Sequence, residues 1–226
     1  MINGVIFDFN GTMIFDKDFH DTAWRKFLEK RIDRHISDEE FHNHVYGRSA
    51  SDILSYFLQK NITGQESILI EEEKERIYRE ICLKSDKFHL AEGLPEFLDD
   101  LQKRQIPVTI ATASAQKNML FFFEHLGLAR WFSLDGVIYN DGTFAGKPAP
   151  DIFWKASDLI GVSIGECAIF EDAKSGIASA KNAGAGYIVG VSSMLDEKTL
   201  LSLGADTVIP NYQNINSIKE FNYDKE

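Results

Sequence analysis

The sequence predicts an α/β fold, a doubly wound (Rossmann-like) parallel sheet with an all-helical domain inserted after the first strand. Three observations predict it. Short apolar runs bounded by turn residues recur at 4–8, 107–111, 134–138, 167–170, 187–191 and 207–209. From residue 93 onward helical patterns lie between those runs, and such alternation argues a parallel sheet with helices on its faces. The stretch 16–86 breaks the alternation and reads as helices alone. One strand precedes that stretch and the others follow it. Residues 1–15 and 87–226 therefore read as the core, and 16–86 as an inserted cap, a lid on the strand ends.

Each element has its own signal. The run 4–8 is Gly-Val-Ile-Phe-Asp, apolar until its last residue. In 19–28, Phe19, Ala23, Trp24, Phe27 and Leu28 fall on one helical face. Ser37 followed by Glu40 reads as a capping box opening a second helix. Helices are expected over 52–59 and 66–84. Leu94 starts the next, with Pro95 in its first turn. A helix over 116–126 ends at Gly127. Asn140-Asp141-Gly142-Thr143 is a turn. Helices over 151–160, 173–182 and 197–203 alternate with the remaining strands, and 214–226 reads as a terminal helix or a frayed end. Phe121-Phe122-Phe123 reads as core.

The chain has 226 residues, 44% apolar and 26% charged, with a formal charge of −11. That sign disfavours nucleic acid and anionic membranes as partners. Cys82 and Cys167 are far apart and not in metal-ligand spacing, so no disulfide framework is expected and a reducing cytoplasm fits. Met1 leads straight into the first strand, so neither a signal peptide nor a membrane span is expected. A monomer is the default.

Four strand ends carry reactive side chains: Asp8, Thr112-Ala113-Ser114, Lys147 and Glu171-Asp172. The carboxyl ends of a parallel sheet share one edge, so these groups converge. Aspartates suit a hard divalent cation such as Mg²⁺. A lysine and a hydroxyl suit phosphate oxygens. One aspartate can then attack phosphorus and form an aspartyl phosphate, with cation and lysine neutralising the meeting of two anions. Taken singly, each motif has a plainer reading. Asp8 would open an Asx turn, Lys147 would be a solvated loop charge, and Thr112 and Glu171-Asp172 would cap helices.

The segments Asp8-Phe9-Asn10-Gly11-Thr12, Thr112-Ala113-Ser114, Gly146-Lys147-Pro148 and Glu171-Asp172-Ala173-Lys174 resemble the four motifs of the haloacid dehalogenase superfamily. Within it they are similar to the capped phosphatase branch that includes β-phosphoglucomutase. The resemblance implies a Mg²⁺-dependent phosphoric-monoester hydrolase acting on a small phosphorylated metabolite, a sugar phosphate foremost. It implies Asp8 as nucleophile and metal ligand, the Asn10 backbone carbonyl and Asp172 as further ligands, and Glu171 beside metal-bound water. Thr112 and the Ala113 N–H would grip the phosphate, and Lys147 would bridge it to Asp8. In the cap it implies His20, Trp24, Gly47, Arg48, Ser49 and Lys74 as substrate-side residues. Trp24 also reads as cap packing, Arg48 as a surface salt-bridge partner, Lys74 as part of a solvated charge run, and His42 and His44 as solvated surface.

Position 10 departs from that family, where an aspartate moves the proton. An amide does not cycle a proton, and loss of such a group costs about 10²–10⁴ in rate. Three alternatives stay open: a slowed phosphatase, a sugar phosphomutase, or a catalytically impaired binder of phosphorylated ligands.

Overall fold

The computed structural model describes residues 2–46 and 48–221, with the backbone alone for Gln65. In chain order come β1 (Gly4–Phe7), α1 (Lys17–Ile32), α2 (Asp38–His44), α3 (Ala50–Leu58), α4 (Gly64–Cys82), α5 (Leu94–Lys103), β2 (Val108–Ala115) and α6 (Gln116–Leu126). They are followed by β3 (Ile138–Asn140), α7 (Asp151–Ile160), β4 (Cys167–Glu171), α8 (Lys174–Ala183), β5 (Tyr187–Val191), α9 (Glu197–Leu203) and β6 (Thr207–Ile209). The chain divides into two compact units, Met1–Phe15 with His89–Glu226, and Asp16–Phe88. Among the described residues no helix is long and apolar enough to cross a membrane.

The first unit is a parallel sheet in the order β3-β2-β1-β4-β5-β6. From β1 the chain moves outward through β2 and β3, then returns to the other side of β1 at β4. The order therefore reverses between β1 and β4, which is where such sheets open a crevice at their carboxyl ends. Phe7 pairs with Ile110 on β2 and Phe170 on β4, so the next residue, Asp8, emerges in the middle of that edge.

Period-two alternation holds β1 in place. Ile6 faces one side and packs with Ile152, Phe153, Ala156, Ile169 and Ile177. Phe7 faces the other, stacked on Phe170 at 4.9 Å and edge-on to Phe97 of α5 at 6.2 Å. Phe7 is wholly buried, a contribution of roughly 1.5–3 kcal/mol from that side chain. Phe9 stacks on Phe122 at 4.4 Å, so the residues on both sides of Asp8 are packed.

Three strand-and-tail expectations are corrected. β2 continues past 111 to Ala115, where it pairs with Asn140. Residues 134–136 form a 3-10 turn rather than a strand, and β3 begins at Ile138. The Gly136 amide bonds back to Ser133 and its carbonyl accepts from Thr109 Oγ1 at 2.9 Å, so these groups are spent in the turn and not in the ladder. The tail forms 3-10 turns over 215–217 and 219–221, anchored by buried Phe221 against Phe97 and Phe170, while 222–226 lie outside the described residues.

The second unit packs Trp24, Phe27 and Leu28 of α1 with Phe41, Ile53, Leu54 and Phe57. Ser37 accepts from the Glu40 N–H at 3.1 Å and so caps α2. The Glu40 carboxylate is turned to Arg34 instead of completing the box: its two oxygens accept from that guanidinium at 2.6 and 2.7 Å. A fork–fork pair is the stronger use of a carboxylate.

Candidate active site

The strand-end residues meet around one ammonium. Lys147, in the loop between β3 and α7, places Nζ 2.5 Å from Asp8 Oδ1 and 2.6 Å from Glu171 Oε1, and donates to the Ala111 carbonyl at 3.3 Å. Those are the three donors of a lysine. The other oxygen of Glu171 accepts from the N–H groups of Asp172 and Ala173, at 3.1 and 3.2 Å, where α8 begins. Glu171 thus holds the turn that leads into α8 while facing Lys147. Asp172 Oδ1 accepts from Thr12 Oγ1 at 3.2 Å. One carboxylate oxygen from each of Asp8, Glu171 and Asp172 lies within 4.8 Å of the others, and all three residues are buried.

Glycine makes room for these acids. Gly11 has φ +74°, and a Cβ there would fall 2.1 Å from Asp172 Oδ2. A Cβ on Gly176 would fall about as close, 1.9 Å, to the Glu171 carboxylate. Thr12, Met13 and Ile14 N–H groups all point at the Phe9 carbonyl, closing the turn that carries Asn10 and Gly11. The Gly11 carbonyl accepts from Ser193 Oγ at 2.5 Å.

Three carboxylates thus face one ammonium in a buried place. Burial, then the charges of Glu171 and Asp8, push the Asp172 carboxyl well above its ordinary range, against the pull of Lys147 and Thr12. Burial works against the Lys147 charge, but Asp8 and Glu171 outweigh it and raise its pKa. Burial, then Asp172 and Asp8, raise the phenol of Tyr212, whose hydroxyl donates to the Thr12 carbonyl at 3.2 Å. The excess of buried oxygen anions, in slots cleared by glycine, fits a hard divalent cation.

Thr112 is buried, with Oγ1 accepting from the Ser114 N–H at 3.1 Å, and Ala113 is exposed at the same edge. Ser114 Oγ donates to Asn10 Oδ1 at 2.7 Å. The sequence reading assigned no role to Thr12, Ser193 or Tyr212. Thr12 lies in the motif that begins at Asp8, but Ser193 and Tyr212 are far away in the chain and carry no local signal.

In the second unit the structure brings together His20, Trp24 and Lys74. Lys74, 2% exposed, pairs with Glu75, donates to His20 Nδ1 at 3.2 Å and lies 5.0 Å from the Trp24 ring centre. His20 stacks on Tyr78 at 4.1 Å and its Nε2 is 3.3 Å from Asp16, which also accepts from the Tyr78 hydroxyl at 2.6 Å. Asp16, Glu75 and Tyr78 were not singled out in the sequence: Asp16 and Tyr78 stand 62 residues apart, which no local pattern links. Trp24 also lies in the apolar core of this unit. Ser49 caps α3, accepting from the Asp52 N–H at 3.2 Å, and Arg48 beside it is exposed. Gly47 lies outside the described residues.

Comparison with known proteins gives one answer from three directions. Residues 2–184 match the family described as haloacid dehalogenase-like hydrolase. A phosphorylated carbohydrates phosphatase of Thermotoga maritima is 29% identical, over 97% of this chain and 99% of its own. A beta-phosphoglucomutase of Bacillus subtilis is also 29% identical, over 92% of this chain and 89% of its own. The crystal structure of a family IA, variant 3 HAD hydrolase from Entamoeba histolytica superposes with a TM-score of 0.91 at 38% identity, covering 98% of each chain. The reversed-order sheet, the four strand-end motifs and these matches agree: the chain belongs to the haloacid dehalogenase-like hydrolases.

Proposed function

We propose that this chain is a Mg²⁺-dependent phosphoric-monoester hydrolase of small phosphorylated metabolites, sugar phosphates foremost, working through an aspartyl phosphate on Asp8. The observation that carries the reading is the buried Asp8 carboxylate, paired with Lys147 and clustered with Glu171 and Asp172 at the reversal of the sheet. The phosphatase likeness supports it.

Asp8 supplies the attacking oxygen. Lys147 holds that carboxylate and, with the Thr112 hydroxyl and Ala113 N–H, draws the phosphate oxygens in. Asp8, Asp172 and the Asn10 carbonyl would hold Mg²⁺, with Glu171 behind them. Bound there, the ion supplies positive charge against the phosphoryl oxygens. Charge placed before the reaction is what lowers the barrier when one anion attacks another.

The likeness to a beta-phosphoglucomutase favours a second reading, a sugar phosphomutase. Asn10 weighs against it, since a mutase needs a proton moved twice at this site.

The test is a phosphate-release screen over sugar phosphates and nucleotides with Mg²⁺. The parent releases phosphate from at least one sugar phosphate, and Asp8→Ala releases none. Equal release by Asp8→Ala removes the nucleophile role.

A further inference from the structure

We propose that this site acts on phosphates whose leaving group departs as a weakly basic anion. These are aryl and acyl phosphates and phosphoanhydrides and, among sugar phosphates, esters of the acidic anomeric hydroxyl ahead of esters of a primary alcohol. The inference deepens the hydrolase reading and rests on Asp8 as its nucleophile.

In an in-line displacement the attacking and leaving oxygens lie on opposite sides of phosphorus. The ionisable strand-end groups Asp8, Lys147, Glu171 and Asp172 form one cluster, with Lys147 2.5 Å from Asp8 and 2.6 Å from Glu171. They therefore stand on the nucleophile's side. Beside them at the edge stand the side chains of Asn10, Thr12, Thr112 and Ser114. None of these gains or loses a proton near neutral pH. Hydrogen bonds tie them to one another and to the cluster, among them Ser114 Oγ to Asn10 Oδ1 at 2.7 Å, the Ser114 N–H to Thr112 Oγ1 at 3.1 Å, and Thr12 Oγ1 to Asp172 at 3.2 Å. An amide held by a hydroxyl takes the place where a carboxylic acid would have a proton to give.

The first step forms the bond from Asp8 oxygen to phosphorus and breaks the bond from phosphorus to the leaving oxygen, which keeps the electron pair. With no proton to come from the Asn10 amide, an alkoxide leaves slowly, whereas a phenolate, carboxylate or phosphate leaves unaided. The second step forms a bond from water oxygen to phosphorus and breaks the bond to Asp8. The electron pair returns to the Asp8 carboxylate and the water proton passes to solvent. Asn10 takes no proton from that water, so the phosphorylated chain accumulates.

The experiment compares p-nitrophenyl phosphate, phenyl phosphate and a primary alkyl phosphate, each with Mg²⁺, on the parent and on Asn10→Asp. The parent is expected to slow by about 10²–10⁴ from the first ester to the last, with a burst of nitrophenolate equal to the chain concentration. Asn10→Asp is expected to raise the alkyl-to-aryl ratio by a comparable factor. A parent that turns over the alkyl ester as fast as the aryl one overturns the inference, because an acid then reaches the leaving oxygen from elsewhere. An unchanged ratio in Asn10→Asp overturns it too. A parent silent on all three removes the hydrolase reading, and this inference with it.

Discussion

Each unit sets a lysine among acids, and the two clusters differ in what packs around them. In the core Lys147 faces Asp8 and Glu171 with Asp172 close by, so carboxylates outnumber ammonium. In the cap Lys74 has Glu75 beside it in the same helix, a histidine nitrogen and the face of Trp24, while Asp16 accepts from Tyr78 and faces His20. The cap cluster draws its bonds from its own neighbours, as a buried polar network must to be tolerated. The core cluster keeps an excess of negative oxygen at an edge where the missing side chain of Gly11 lets the Asp172 carboxylate come close to the turn. A buried charge excess is costly unless something bound offsets it. The two differ in surroundings: glycine approaches the core acids without a side chain, whereas the rings of Trp24 and Tyr78 lie against Lys74.

The largest effect expected from breaking this contrast is at the lysines. Lys147→Met leaves three buried carboxylates with no cation and costs ~3–5 kcal/mol in a urea melt. Mg²⁺ restores part of that loss. Lys74→Met is expected to destabilise on the same scale, with no recovery in Mg²⁺. Equal recovery in both variants would erase the distinction. Next in size, Mg²⁺ at 100 times its Kd stabilises the parent by ~2.7 kcal/mol, read as a rise in Tm, and Asp172→Asn loses most of that rise. Gly11→Ala sharpens the same point. Its φ of +74° and the closeness of Asp172 predict ~1–3 kcal/mol of destabilisation and a weakened response to Mg²⁺.

The smallest effect lies in the cap. Burial raises the pKa of Glu71, with Glu75 adding to it and Lys74 and His20 opposing. The folded state then keeps a proton that the unfolded chain has already released. Stability therefore falls as pH rises from the ordinary glutamate range through the raised value, and levels off above it. Glu71→Gln is expected to flatten that segment of a stability–pH curve; an unchanged slope assigns the dependence elsewhere.

The sequence made the core site more legible than the cap cluster, for a physical reason. Asp8, Lys147 and Glu171-Asp172 each follow a short strand signal, and parallel strands bring their ends to one edge whatever separates them in the chain. Val5-Ile6-Phe7 and the run 167–170 are apolar enough to read directly. The end of β2 was harder: Ala111 to Ala115 are small or hydroxylated residues whose strand character comes from pairing with β3. The segment 134–136 failed as a strand because its backbone groups close a local turn. In the cap, Lys74 sits in a run of charges that reads as solvated, yet it is 2% exposed. Its burial depends on Tyr78, one turn further along its own helix, and on His20 and Trp24 of α1, and the meeting of those two helices leaves no trace in spacing.

The central claim is that Asp8 takes the phosphoryl group. The direct test is the intact mass of the chain, mixed with p-nitrophenyl phosphate and Mg²⁺, quenched in acid and followed by mapping of the modified residue. The account predicts a mass gain of one phosphoryl group on Asp8, absent from Asp8→Ala, which also releases no nitrophenolate. A phosphoryl group on another residue, or a parent and Asp8→Ala that turn over equally with no adduct, would contradict it.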